Sequence, residues 1–340
     1  MLPRSLPHTP ATPAPLTHDE ENPMTLTGEG NTRQSVAVVG AGAVGGVFAS
    51  ALHRAGHDVS LCVRTPFDEL VIETSGGTEH VPVTVVTDPA DVRPVDWVLL
   101  AVKAFDTAGT ARWLAALCDE HTTVVVLRNG VEQTDDVQAL VPKTTVLPAL
   151  VYIQAERLAP GHIRHGYGNS LDVPAGPAAD RLTRLFQGSG TDIRPQQDLL
   201  TAAWRKLMLN AAVNPLTALT LRRMEVMGDR MIRDLAEGLM RETQVVAEAV
   251  GARLTGADVL QTLAFMEEFS DGNGTSMLYD RLSGNSLEWE ALNGAVVRYA
   301  DLYGIDVPLN RAMTALLHAL APLHAAPTAE EPAGTQLAAA

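Results

Sequence analysis

A short apolar run, Val36-Ala37-Val38-Val39, passes directly into Gly40-Ala41-Gly42-Ala43-Val44-Gly45 and then into Val47-Phe48-Ala49-Ser50-Ala51-Leu52. That pattern predicts strand, glycine turn and alanine-rich helix, in that order. Further along, residues 58–63, 97–102 and 123–127 are short continuous apolar runs bounded by polar positions. Such runs suit strands of a parallel sheet, which are buried on both faces. Residues 145–153 and 161–173 add strand-like segments, and 107–117 carries helical spacing. Residues 79–86 alternate weakly and read as an edge strand, because Pro82 cannot donate to a central ladder. From about Leu199 the period changes: 199–221, 231–250, 257–269 and 286–303 are all helical in spacing, and strand signals nearly vanish.

The fold class expected is therefore α/β, an N-terminal Rossmann-like doubly wound sheet followed by an all-helical C-terminal domain. The sheet domain takes residues 35–195 and the helical domain 196–324, with the boundary near Arg194-Pro195. Residues 1–34, rich in Pro, Thr and acidic groups, and 325–340, rich in Ala, Pro and Glu, lack hydrophobic periodicity and read as disordered tails. The first has no apolar core of a secretory signal, and Met24 offers a second start.

Composition removes several classes. At 340 residues the chain is long enough for two cores. A formal net charge of −15 argues against nucleic acid and anionic membrane surfaces as partners. No apolar stretch approaches transmembrane length, and a cytoplasmic enzyme is the expectation. Cys62 and Cys118 are too few for a disulfide framework or a structural zinc site. His53 and His57 are four apart, but Gly56 ends the helix between them and no third ligand follows nearby, so no metal is expected. No G-x-S-x-G supports hydrolase chemistry.

The glycine turn has its own chemistry. Gly40 permits the tight turn, Gly42 lets a pyrophosphate approach the backbone, and Gly45 lets the helix pack closely on the strand. Gly40, Ala41, Gly42, Ala43, Val44 and Gly45 thus form a candidate dinucleotide cradle at the positive end of a helix. Where an NAD enzyme usually carries Asp or Glu after the second strand, this chain has Arg64-Thr65. An arginine there can pair with a 2′-phosphate, with no carboxylate beside it in sequence to repel the anion, so NADP is favoured over NAD. The bland alternative is a solvated arginine at a strand end.

Lys103 and Asn129-Gly130 follow two buried strands, at the carboxyl ends where a cofactor and its substrate meet. Each alone could equally be a turn or cap residue. Lys206, Asn210 and Asn214 recur every four residues on an otherwise apolar helix, which places them on one stripe. Buried amides and an ammonium are costly unless paired, so something polar must lie beside that stripe; a 2-oxo acid offers a carboxylate and a carbonyl. Pro215 disrupts the local backbone bonding and could aim Asn214 into the cleft. On a helix starting near Ser286, Glu288 would share the apolar face of Leu292, Ala295, Val296 and Tyr299, while Glu290 would face solvent with Asp301. The Glu288 carboxylate then needs a lysine or a substrate hydroxyl. Thr275-Ser276 follows the turn Asp271-Gly272-Asn273-Gly274; Ser276 could be a helix N-cap or a ligand hydroxyl.

Together these residues resemble the ketopantoate reductase family, NADPH-dependent 2-dehydropantoate 2-reductases, over about residues 35–317. The resemblance rests on the glycine motif with Arg64, on Val102-Lys103-Ala104, on Asn129-Gly130, and on Lys206/Asn210/Asn214-Pro215-Leu216-Thr217-Ala218. It rests further on Ser276-Met277-Leu278 with Glu288 twelve residues after that serine, on Asn293-Gly294, and on Gly304-Ile305-Asp306-Val307-Pro308. It implies that Lys206 is the general acid that protonates the ketone oxygen as hydride arrives, and that Asn210, Asn214 and Ser276 hold a small 2-oxo acid. Glu288 would orient the substrate or the lysine, and Lys103 and Asn129 would sit at the cofactor–substrate junction. A homodimer is compatible with the resemblance. Departures from the family pattern are Arg128 before Asn129, Thr275 and Tyr279 around Ser276-Met277, and Leu287, Trp289 and Glu290 around Glu288. Arg128 and Trp289 could reshape the pocket, which leaves another 2-oxo acid or ketone open as substrate. A non-catalytic dinucleotide sensor on the same fold is the different-class alternative, though a sensor needs no proton donor.

Overall fold

Residues 32–268 and 272–320 are described in the computed structural model. The expected tails, residues 32–34 apart, lie outside these limits, as do Phe269 and Asp271. The chain begins with β1 (Ser35–Val39), α1 (Ala43–Arg54) and β2 (Asp58–Cys62), the strand–turn–helix–strand unit expected from the apolar pattern. It continues through β3 (Leu70–Thr74), β4 (Gly77–Val81), β5 (Thr84–Val86), β6 (Trp97–Leu100), α2 (Ala111–Leu117), β7 (Thr123–Leu127) and α3 (Asp135–Leu140). A long hairpin of β8 (Thr145–Ala159) and β9 (His162–Pro174) follows, then α4 (Pro177–Leu185) and β10 (Asp192–Gln196).

These strands form one sheet in the order β4-β3-β9-β8-β7-β6-β1-β2-β5, with β10 beside β9. From β5 to β8 neighbouring strands are parallel, which is the expected doubly wound part. Beyond it the sheet turns mixed, because β8 pairs antiparallel with β9 and β3 pairs antiparallel with β4. The segment 79–86 is not one edge strand. Its halves β4 and β5 occupy opposite edges of the sheet, and Pro82 falls in the break between them. The sheet reaches past Arg194-Pro195, since β10 ends at Gln196.

The helical region comprises α5 (Leu199–Thr220), α6 (Arg230–Val250), α7 (Gly256–Glu268), α8 (Ser276–Leu282), α9 (Asn293–Tyr303) and α10 (Pro308–Ala319). The side chain of Asp198 starts α5 by accepting from Thr201 N at 3.0 Å. The helix then buries Trp204, Leu207, Met208, Ala211, Ala212 and Leu216 against its neighbours. Pro215 disrupts the local backbone bonding, as expected, without ending the helix: α5 continues to Thr220. Proline leaves the carbonyl four residues earlier without a backbone donor. That carbonyl, Ala211 O, accepts instead from Asn293 Nδ2 at 2.7 Å, and Asn293 is fully buried. The sequence also places a helix from Ser286, but α9 begins only at Asn293 and residues 283–292 form turns and extended chain.

Candidate active site

The carboxyl ends of β1, β2, β6 and β7 face α5, α8 and the segment 273–288 across a cleft of about 1250 Å³. The cradle residues Gly40, Ala41, Gly42, Ala43 and Val44 line one side of it. Gly40 has φ +95°, and a Cβ there would meet Val102 Cγ1 at 2.8 Å. A Cβ at Gly45 would come within 2.1 Å of Gly40 O, so the turn closes only without side chains. Gly42 caps α1 without a side-chain bond, has open space where a Cβ would project, and no acidic residue occupies the first turn. This arrangement suits an anion that approaches the helix N-terminus. Arg64 lines the cleft at the end of β2 with its side chain largely exposed. A carboxylate does stand near it, contrary to the reading from local sequence: Asp106, from the turn after β6, lies 3.4 Å from Arg64 Nη2.

Lys206, Asn210 and Asn214 all line the cleft, one turn apart on α5. Lys206 Nζ donates to Val151 O at 2.5 Å and sits 5.0 Å from the Tyr152 ring centroid. Burial pulls its ammonium down to about 8, against the upward influence of Asp172 and Glu288.

Glu288 is buried and needs a cation, as expected, but its partner is Lys103 rather than Lys206. Lys103 Nζ donates to Glu288 Oε2 at 3.0 Å and to Asp280 Oδ2 at 2.5 Å. Burial works against the Lys103 charge, yet Glu288 and Asp280 together hold its ammonium above the ordinary lysine value. Burial raises the Asp280 carboxyl, which Lys103 only partly offsets. Sequence reading missed Asp280. Its signal was the four-residue step from Ser276, which puts both on one face of α8.

Ser276 lines the cleft from the exposed first turn of α8 and is not the cap. Thr275 takes that role, its Oγ1 accepting from Leu278 N at 3.2 Å. Asn129 reaches the cleft from the end of β7. Arg128 is among the residues that line the cleft, but its guanidinium is bonded elsewhere. It is buried behind that strand end against Asp136 (2.5 Å), Thr107 Oγ1 (2.8 Å) and the carbonyls of Glu132 and Gln133. Trp289 stays out of the cleft, edge-on to His318 at 5.3 Å. His57 accepts from Gln34 N and holds Leu185 O at 2.6 Å, which occupies both ring nitrogens in the fold. Among the described residues no His/Cys/Asp/Glu group could hold a metal, and no helix is long and apolar enough to cross a membrane.

Comparison with known proteins decides the family. Residues 36–177 match ketopantoate reductase PanE/ApbA, and residues 198–321 match its C-terminal domain. This chain belongs to the ketopantoate reductase family. It is 38% identical over 288 residues to the 2-dehydropantoate 2-reductase of Caulobacter vibrioides, covering 84% of this chain and 99% of that one. The 2-dehydropantoate 2-reductase of Mycobacterium tuberculosis is also 38% identical, over 84% of this chain and 97% of its own. Among solved structures, the PanE/ApbA family ketopantoate reductase of Ralstonia eutropha JMP134 is 33% identical with a TM-score of 0.78, covering 84% of this chain and 98% of that one. The dimeric ketopantoate reductase of Staphylococcus aureus is 26% identical with a TM-score of 0.76 over 84% and 98%. The protein is thus an enzyme, an oxidoreductase of Rossmann-like fold.

In this reductase Glu288 and Glu290 are two positions apart and differ in burial, though not for the helical reason expected. An irregular segment leading into a turn, not a helix face, buries Glu288 beside Lys103 and leaves Glu290 exposed. Glu288→Gln is expected to lower kcat/KM at least tenfold, about 1.4 kcal/mol of transition-state stabilisation. Glu290→Gln should leave kinetics within a few fold and stability within about 0.5 kcal/mol. Steady-state kinetics with thermal melts of both variants check this, and a reversed order would remove Glu288 from the site.

Proposed function

We propose that this reductase reduces 2-dehydropantoate to pantoate with NADPH, using residues 35–195 for the cofactor and 196–324 for the substrate. One observation carries the reading: a half-buried lysine, its ammonium brought down to about 8 by burial, lines the same cleft as the glycine cradle. A nicotinamide dinucleotide bound at that cradle supplies the hydride. Lys206 donates a hydrogen bond to the ketone oxygen, stabilises the negative charge that develops there, and passes its proton across. The carbonyl carbon gains a hydride and the oxygen a proton, which gives the 2-hydroxy acid; Lys206 recovers its proton from water. Asn210, Asn214 and Ser276 offer amide and hydroxyl donors to the substrate carboxylate and hydroxyl, and Asn129 lies at the junction with the cofactor. Glu288 acts with Lys103, whose ammonium it shares with Asp280.

Following NADPH oxidation with 2-dehydropantoate against a panel of smaller and bulkier 2-oxo acids tests the substrate. Higher kcat/KM on another acid would move this chain to that substrate, and no turnover on any of them would favour a dinucleotide sensor. The assembly proposed is a homodimer, by analogy with the dimeric Staphylococcus aureus enzyme, and sedimentation velocity checks it.

For the cofactor, Arg64 is the proposed 2′-phosphate partner and Asp106 its resident competitor. Arg64→Ala should narrow the preference for NADPH over NADH about ten- to hundredfold, the worth of a charge-assisted contact of about 1.5–3 kcal/mol. Binding titrations with both cofactors check this, and equal wild-type affinity for the two would sink the assignment.

A further inference from the structure

Lysine is scarce in this chain: Lys103, Lys143 and Lys206 are the three among 25 basic residues. Two of them line the cleft, and they are held differently. Lys103 is clasped by two carboxylates. Lys206 Nζ donates instead to an uncharged group, the carbonyl of Val151, and the Tyr152 ring stands alongside. The surroundings of that ring are unusual. The Arg194 guanidinium lies 4.7 Å from the same ring centroid. Two cations share one aromatic face system, which attracts each of them while they repel one another. Asp172, buried on β9 in register with Arg194 on β10, reconciles the two: it accepts from Arg194 Nε at 2.6 Å, and its charge acts on the Tyr152 hydroxyl.

We propose that Tyr152, Asp172 and Arg194 form a positioning unit that holds Lys206 in place and sets the charge its ammonium faces, Asp172 favouring the ammonium and Arg194 opposing it. Other charged groups near Lys206 are already committed. Glu288 and Asp280 are bound to Lys103, and Arg205, the preceding residue on α5, points to Asp258 at 2.8 Å. Asp172 is therefore the carboxylate behind the ammonium, with its own charge partly cancelled by Arg194. Burial and Asp172 push the Tyr152 hydroxyl up to about 12, so it stays a neutral phenol at working pH.

The signs follow from charge. Asp172→Asn removes the anion and leaves Arg194 uncompensated, which favours the neutral amine and lowers the Lys206 pKa. Arg194→Gln leaves Asp172 uncompensated and raises it. The double variant removes a neutral pair and should return close to wild type. Each single shift should be on the order of one pH unit.

The consequence for turnover rests on Lys206 being the proton donor; the consequence for the ammonium does not. The test is therefore an NMR titration of the ligand-free protein made with 13C,15N-labelled lysine, in which three side-chain signals are assigned through Lys143→Arg and Lys206→Gln. Opposite displacement of the Lys206 titration in Asp172→Asn and Arg194→Gln, with recovery in the double variant, is the expected result. An unmoved titration in either folded single variant overturns the proposal. If Asp172→Asn does not fold, Arg194→Gln carries the test alone: an upward move of the Lys206 titration is expected, and an unmoved one overturns the proposal. In parallel, the alkaline limb of kcat/KM should move with the Lys206 titration. A titration that moves while that limb stays fixed supports the positioning unit and refutes Lys206 as proton donor.

Discussion

Lys206→Ala is expected to lower turnover by a factor of about 10²–10⁴ while NADPH affinity stays within a few fold. The lysine sits on α5, facing the cleft from the helical side, whereas the cradle residues lie at the end of β1. A proton donor acts on the reacting oxygen and contributes little to the ground-state hold on the dinucleotide, so the loss should appear in kcat. Lys206→Arg keeps a cation but not a transferable proton, since a guanidinium stays protonated above pH 12, and should rescue little. The pH profile gives a second readout. In the free enzyme the Lys206 ammonium is pulled down to about 8 by burial. It is protonated below that value and neutral above it, so wild-type kcat/KM should fall about tenfold per pH unit on the alkaline side. Single-turnover NADPH oxidation across pH, with equilibrium binding by nicotinamide fluorescence, measures both effects. Near-normal turnover in Lys206→Ala would return the residue to a merely structural position.

Why so much of this was legible in the sequence is clear from particular elements. The glycine turn between β1 and α1 is a local device: the order of strand, glycines and helix is written in consecutive residues, and Gly45 is pressed on Gly40 O and Val38 within the same unit. The stripe of Lys206, Asn210 and Asn214 was readable because helical spacing alone puts the three on one side of α5. What escaped were contacts set by distant chain segments. Lys103 and Glu288 are 185 residues apart, and nothing in local period pairs them in preference to Lys206 and Glu288. Asp106 meets Arg64 across 42 residues, which the absence of an acid beside Arg64 in sequence could not reveal. The mixed β8–β9 extension was also missed as topology. Its strand patterns were visible, but antiparallel pairing between them depends on the turn near Gly161. The helix expected from Ser286 failed because apolar residues at helical spacing also suit an irregular segment folded over a core. Leu287 and Leu292 are buried there without a helix.

The cradle makes the second large prediction, one that separates binding from folding. Gly42→Ala and Gly45→Ala each add a single methyl group three positions apart, yet the surroundings differ. At Gly42 the added Cβ meets nothing within 4 Å, and the backbone there is extended, with φ −76° and ψ −166°, which alanine adopts freely. A glycine N-cap is worth slightly more than alanine, while the loss of chain entropy in the unfolded state favours alanine. Stability should therefore change by about 1 kcal/mol or less. The methyl nevertheless projects from the N-cap of α1, into the space a pyrophosphate must enter to reach the helix end. NADPH affinity should fall about ten- to hundredfold, or about 1.4–2.8 kcal/mol. At Gly45 the Cβ would lie 2.1 Å from Gly40 O and 3.1 Å from Val38 Cγ1. That contact can be relieved only by moving α1 off β1, an overpacking that costs about 1–3 kcal/mol and distorts the turn as well. Gly45→Ala should thus lose both melting temperature and NADPH affinity, and Gly42→Ala affinity alone. Thermal melts and cofactor titrations on the two variants decide it. If Gly42→Ala binds NADPH as tightly as wild type, the pyrophosphate does not pass over this turn, and the cofactor must lie elsewhere in the cleft.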